Sequence, residues 1–164
     1  MSALIKEVAA VLPTPWGPFE ICGSEQGIHR ARFVAAQTPL SSKIPDLLQA
    51  AAGQLADYLV GDLERFSLPL APEGSAFQQR VWQSLQQIPY GHSISYKQQA
   101  LALGDPKAIR ATAAANGKNP IAIFIPCHRV LGSDGTLTGY AWGIDIKRAL
   151  LALEGRDTQM QLLI

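Results

Sequence analysis

One cysteine stands directly before a histidine, at Cys127-His128, inside the run Ile125-Pro126-Cys127-His128-Arg129-Val130. A thiolate is a soft nucleophile, and a nearby base or positive charge makes it available near neutral pH. The apolar run 121–125 precedes it and reads as a short buried strand. A turn region, Gly132-Ser133-Asp134-Gly135, follows. A thiol at the end of a buried strand, with an imidazole beside it, suits nucleophilic chemistry. Adjacency alone does not imply contact, because neighbours on a strand point to opposite faces. Pro126 also breaks the regular alternation. A free cysteine often serves as a small buried hydrophobe, so the dipeptide leaves both readings open.

A second feature lies just upstream. Ala108, Ala111, Ala113, Ala114 and Ala115 leave one helical segment almost bare, with Arg110 its most prominent side chain. Small side chains let a helix backbone approach another surface closely. Lys97, Lys107, Arg110, Lys118 and Arg129 cluster in the same half of the chain and suit contacts with phosphates. A tightly packed core helix and a solvated basic face are the ordinary alternatives.

These residues need elements to position them. Residues 75–88 open with a capping box at Ser75-Ala76-Phe77-Gln78, and Phe77, Val81, Leu85 and Ile88 line one helical face. Pro89-Tyr90-Gly91 stops that helix. Ser95-Tyr96-Lys97-Gln98 is a second capping box, opening a helix that ends at Gly104. Asp105-Pro106 reads as a cap with proline at the first helical position, opening a third helix to about residue 115. Helix, short glycine turn and helix outline a helix-turn-helix. A last helix over residues 145–153 stacks Ile146, Leu150 and Leu153. The first part of the chain differs. Residues 7–12, 19–22 and 28–34 are strand-like, punctuated by Pro13, Pro15, Gly17, Gly23 and Gly27, as in antiparallel hairpins. A helix follows over 46–59, ended by Gly61. The expected class is α+β: a small N-terminal antiparallel sheet with a helix over residues 1–72, then a mostly helical, winged helix-turn-helix-like domain over 73–164.

With 164 residues and 48% hydrophobic residues, the chain has material for a real core. A net charge of +1 does not announce a nucleic-acid binder, so local clustering has to decide. Cys22 and Cys127 form no metal-ligand spacing with each other or with His29, His92 and His128. No stretch approaches the roughly 20 apolar residues of a membrane helix. The N-terminal residues lack an apolar core of export length, which predicts a cytoplasmic protein with free thiols.

Several motifs in order resemble one family. The PCHRV core at Pro126–Val130, the stretch 75–100 and the stretch 116–143 are similar to the O6-alkylguanine-DNA alkyltransferases, also called methylated-DNA–protein-cysteine methyltransferases. Residues 58–70 and Thr14-Pro15-Trp16-Gly17 are weaker signatures of the same family. The resemblance implies direct repair of DNA. Cys127 would take the alkyl group from O6 of a damaged guanine, with O4-alkylthymine as a further substrate class, and keep it. It implies no cofactor and no metal, and a monomer on double-stranded DNA, cytoplasmic and nucleoid-associated in a bacterium. It also implies roles. His128 would take the thiol proton through a water, and Glu154 would orient the imidazole. Tyr96 would donate a proton to the departing base, and Asn119 would hold the active-site turn. Val130 and Ala141 would bind the flipped base through backbone groups, with Tyr140 as a pocket wall. Arg110 would fill the gap in the base stack, with Tyr96, Ala111, Lys107 and Arg129 at the DNA as the helix enters the minor groove.

Trp142 departs from the family pattern, in which glycine is common, and an indole there is expected to narrow the pocket mouth. The first domain lacks the zinc-ligand set of some relatives, and Cys22 reads as structural. A lesion-binding protein without chemistry, a transcription regulator and a cysteine hydrolase remain as rival readings. The first would lack the reactive cysteine, the second would carry a sensor domain, and the third would need an oxyanion site.

Overall fold

A computed structural model describes residues 6–155. The ends of both expected domain spans, 1–5 and 156–164, lie outside them. The chain divides into two compact units. Among the described residues, the first holds 6–73 together with Pro120–Phe124, and the second holds Gly74–Asn119 and 125–155.

In the first unit, strands β1 (Val8–Leu12), β2 (Phe19–Ser24) and β3 (Gly27–Phe33) form an antiparallel sheet in that order. Phe19, Ile21 and Ala31 are buried, as one apolar face of a sheet requires. A 3-10 turn at Asp46–Leu48 leads into α1 (Gln49–Leu59), whose Ala51, Leu55 and Tyr58 face inward.

The second unit contains α2 (Ala76–Leu85), β4 (Ile94–Ser95), α3 (Tyr96–Ala102), α4 (Ile109–Gly117), β5 (Val130–Leu131) and α5 (Ile144–Leu153). Both expected capping boxes are formed, Ser75 with Gln78 and Ser95 with Gln98. Trp82 of α2 is 2% exposed, and its indole N–H donates to the carbonyl of Ala115 on α4 at 2.9 Å. Burying a side chain of this size contributes about 3 kcal/mol. Gly74 passes so close to the Trp82 ring that a Cβ would stand 2.4 Å from it, so a larger residue would displace the indole. The α+β expectation holds, sheet first and helices after. Among the described residues, no helix is long and apolar enough to cross a membrane.

Three local expectations fail for physical reasons. Residues 121–125 are buried but do not run as a strand. Ile121 makes one bridge with Ala31, and the chain then turns, with Ile123 at φ 71°. That conformation is costly for a β-branched residue and ends any regular pairing. The helix expected from Pro106 begins only at Ile109. Asp105 turns its side chain to the N–H of Lys107 and its carbonyl to the N–H of Ala108, closing a turn instead of capping a helix. In α5 the buried residues are Lys147, Leu150 and Leu151, so the inner face is not the expected 146–150–153 stripe.

Candidate active site

Cys127, His128 and Arg129 form a single 3-10 turn between Pro126 and β5. The turn splits their directions. Cys127 is partly exposed, whereas His128 and Arg129 are buried. Parallel pairing of β5 with β4 matches Ile94 to Val130 and Ser95 to Leu131. Ser95 caps α3, so the same short ladder ties the cysteine turn to Tyr96 at the first position of that helix. The Asn119 side chain donates to the carbonyl of Ile125 at 2.8 Å and also bonds the thiol of Cys127.

Behind the turn stands Glu154, 3% exposed, at the end of α5. His128 Nε2 lies 2.7 Å from one carboxylate oxygen. Arg129 donates to both oxygens, at 2.8 and 3.0 Å, and to the carbonyl of Ile88 at 2.7 Å. Its guanidinium also lies over the Tyr90 ring, 5.9 Å from the centroid. Burial alone would raise the Glu154 pKa, but hydrogen bonds and charge from His128 and Arg129 outweigh it and hold the carboxyl at about 2. A carboxylate only accepts, so Nε2 of His128 carries the hydrogen and Nδ1 is left as the basic nitrogen. Nδ1 is buried and has no hydrogen-bond partner among the described residues. Burial pulls the imidazole pKa down, with Glu154 opposing.

Cys127 opens on a cavity of about 530 Å³, a size typical of small-molecule sites. From α4 come Ile109, Arg110, Ala113, Asn116 and Gly117, and Tyr96 comes from α3. Gly132, Ser133 and the loop 138–141 complete the wall. The Tyr140 hydroxyl is buried and has no hydrogen-bond partner among the described residues, and burial pushes its pKa well up. Burial raises Tyr96 as well, with a hydrogen bond to Thr138 opposing. The Cys127 thiol is pushed up by burial and drawn back by Asn119 and by the charge of Lys147.

Of the residues expected from sequence, the structure brings Cys127, Tyr96, Arg110, Tyr140 and Ala141 to one cavity. His128, Glu154 and Asn119 lie directly behind it, through the contacts above. Val130 is buried in β5, and its side chain is not on the wall. Ala111 on α4 and Lys107 just before it are exposed but do not line the cavity.

Two expectations are corrected. Arg129, expected at DNA phosphates, is 7% exposed and spends its guanidinium on Glu154 and Ile88. Trp142, expected to narrow the pocket mouth, is not on the cavity wall. It stands inside the turn that the Gly143 N–H closes on the Tyr140 carbonyl at 3.0 Å.

Sequence reasoning missed Lys147. It is fully buried, and its ammonium donates to the carbonyls of Thr138 and Gly139 at 2.9 and 3.3 Å, clamping the cavity loop. Burial lowers its pKa to about 8, partly offset by the Cys127 thiolate. The signal was present: Lys147, Leu150, Leu151 and Glu154 fall on one helical face, so two charges occupy core positions. Also missed was the reciprocal amide pair of Gln99 and Asn116, at 2.7 and 3.1 Å, which joins α3 to α4.

Two family models cover most of the chain. Residues 76–156 match "6-O-methylguanine DNA methyltransferase, DNA binding domain". Residues 8–72 match "6-O-methylguanine DNA methyltransferase, ribonuclease-like domain". A methylated-DNA–protein-cysteine methyltransferase of Methanosarcina barkeri is 47% identical over 151 residues, covering 88% of this chain and 94% of the relative. The crystal structure of the Mycobacterium tuberculosis O6-methylguanine methyltransferase has a TM-score of 0.81 at 42% identity, covering 91% of this chain and 93% of that one. The crystal structure of Mycobacterium tuberculosis OGT in complex with DNA also gives 0.81, at 41% identity, covering 95% of this chain and 99% of that one. With both models matched in order and relatives aligned over nearly their whole length, the chain belongs to the 6-O-methylguanine DNA methyltransferase family.

Proposed function

We propose that Cys127 is the alkyl acceptor of this DNA-repair methyltransferase, acting once on O6-alkylguanine. The chain binds DNA and transfers the alkyl group of a damaged base to a cysteine, as its family does. The assignment to Cys127 rests on one observation. The thiol opens on the cavity, while the next residue turns inward to a carboxylate and keeps a bare imidazole nitrogen.

Nδ1 of His128 takes the thiol proton through a bridging water, and Glu154 stabilises the imidazolium. The need for such a pair follows from the thiol itself, since burial keeps it above its ordinary pKa. Sulfur then attacks the alkyl carbon, a carbon–sulfur bond forms and the carbon–O6 bond breaks. The electron pair goes to the guanine, which would leave as an anion unless protonated. Tyr96, on the cavity wall, supplies that proton. The thioether has no leaving group, so one protein repairs one lesion.

The O6 substituent lies inside the stacked duplex, so the nucleotide must rotate out, at a cost of a few kcal/mol. Arg110, exposed at the cavity edge, is placed to fill the gap. The exposed Ala111 and Ala114 let α4 approach a minor groove closely. Lys107, exposed just before the helix, faces phosphates, and the protein acts as a monomer.

Mass spectrometry tests this. Incubation with duplex DNA containing O6-methylguanine should add one methyl, on the peptide containing Cys127, and unmodified DNA should add none. A methyl on any other residue overturns the assignment.

A further inference from the structure

The cavity wall is built mostly of small groups. Ala113, Gly117, Gly132, Gly139 and Ala141 leave it open, and Asn116 is held back by its amide pair with Gln99. Ile109 is the one large aliphatic side chain on that wall. It is also 36% exposed, at the first position of α4.

Helical spacing shows which way it faces. Residues 109, 113 and 116 follow the i, i+4, i+7 pattern and all line the cavity. Ala111, Ala114 and Lys118 are exposed on another side and line none of it. Ile109 therefore belongs to the cavity stripe and not to the outward face of the helix. An exposed branched aliphatic costs free energy in water and regains it when an apolar group covers it. The flipped base and its alkyl group are such cover.

We propose that Ile109 sets the size of the alkylated base that the cavity admits. The proposal rests on Cys127 being the acceptor at this cavity. Ile109 is β-branched and stiff in a helix, so it cannot swing aside for a larger adduct as a flexible chain would.

The test compares O6-benzylguanine with O6-methylguanine, both as free bases, on the parent and on Ile109→Ala and Ile109→Phe. Free bases remove any contribution from duplex binding. Ile109→Ala should raise the benzyl-to-methyl rate ratio about tenfold or more, since one methylene of apolar pocket space is worth roughly 10- to 200-fold. Ile109→Phe should lower it. Alanine favours helix, so the first variant should fold. A ratio unchanged in both variants overturns the proposal. The same ratio is read on duplex substrates as a control, and a change seen there but not with the free bases also overturns the proposal, because it makes Ile109 a DNA contact. Transfer persisting in Cys127→Ala is a separate failure, because it strikes the acceptor assignment and removes the basis of this proposal.

Discussion

Cys22 on β2 and Cys127 at the cavity are both pushed up by burial, and each has a cationic side chain nearby. Arg30 donates to the Cys22 sulfur at 3.0 Å, and the charge of Lys147 acts on Cys127. The carboxylates differ. Glu20 lies 3.7 Å from the Cys22 sulfur, where its charge opposes a thiolate. Glu154 stands behind His128 instead, where its charge favours an imidazolium. Access differs too: Cys22 is 4% exposed, while Cys127 lines a cavity. A buried thiol beside a cation is thus not yet a nucleophile. It needs its carboxylate one residue removed, a base between them and space for a substrate.

The sharpest break in this comparison is to remove each thiol. Cys127→Ser should abolish transfer and retain DNA binding, because the sulfur supplies the acceptor and not the DNA contacts. Cys22→Ser should leave transfer intact. A labelled methyl on Cys22 in either protein would erase the distinction.

Moving the negative charge is the next largest step. Glu154→Gln should slow transfer by roughly 10²-fold or more, the scale of lost general acid–base assistance. It should also destabilise the fold, because Arg129 stays buried without its partner, at about 3–5 kcal/mol. The pH dependence has a definite sign. The Glu154 pKa falls from 4.5 to about 2 on folding, so its contribution is present above pH 4.5 and lost as pH falls through 2. That shift corresponds to on the order of 3 kcal/mol. Acid denaturation of the parent should show this loss, and the Gln variant should show a flatter profile.

The cation is next. Lys147 is charged below about pH 8 and loses its proton above it. Lys147→Met should slow transfer near pH 7, on the order of tenfold, because the thiol loses the nearby charge that draws its pKa down. The parent's pH–rate profile should show an inflection near 8 that the Met variant lacks. An inflection retained in the variant would place it on another group.

Substrate access is a smaller matter for the thiol itself. Arg110→Ala should slow repair of duplex DNA while affecting a free modified base less, since Arg110 sits at the cavity edge and not at the sulfur. Equal losses on both substrates would move Arg110 into the pocket chemistry.

What could be read from sequence here was local, or carried by the family motif. The two capping boxes need only four neighbouring residues each, and both form. Cys127 and His128 stood out as neighbours, but the Glu154 position came from the resemblance, not from spacing, because it lies 26 positions beyond His128. Arg129 looked like a phosphate contact because its neutralising partner is equally distant in sequence. Lys147 was passed over because the expected inner face of the last helix ran through 146, 150 and 153, whereas the buried face runs through 147, 150 and 151. Residues 121–125 had the composition of a strand, but the left-handed backbone at Ile123 breaks the extended run, and composition does not record a backbone angle.

The weakest effect belongs to the residue whose identity looked most consequential. Trp142→Gly should leave the benzyl-to-methyl ratio within about a factor of two, the scale of substitutions away from a critical contact. Trp142 is half-buried and not on the cavity wall, inside the turn that Tyr140 and Gly143 close. A second glycine beside Gly143, which already stands at φ 99°, should loosen the entry to α5. That loosening lowers the melting temperature and both rates together, so the ratio is the quantity to read. A ratio that rises strongly in Trp142→Gly would return the gate to the indole and leave Ile109 a lesser part of the wall.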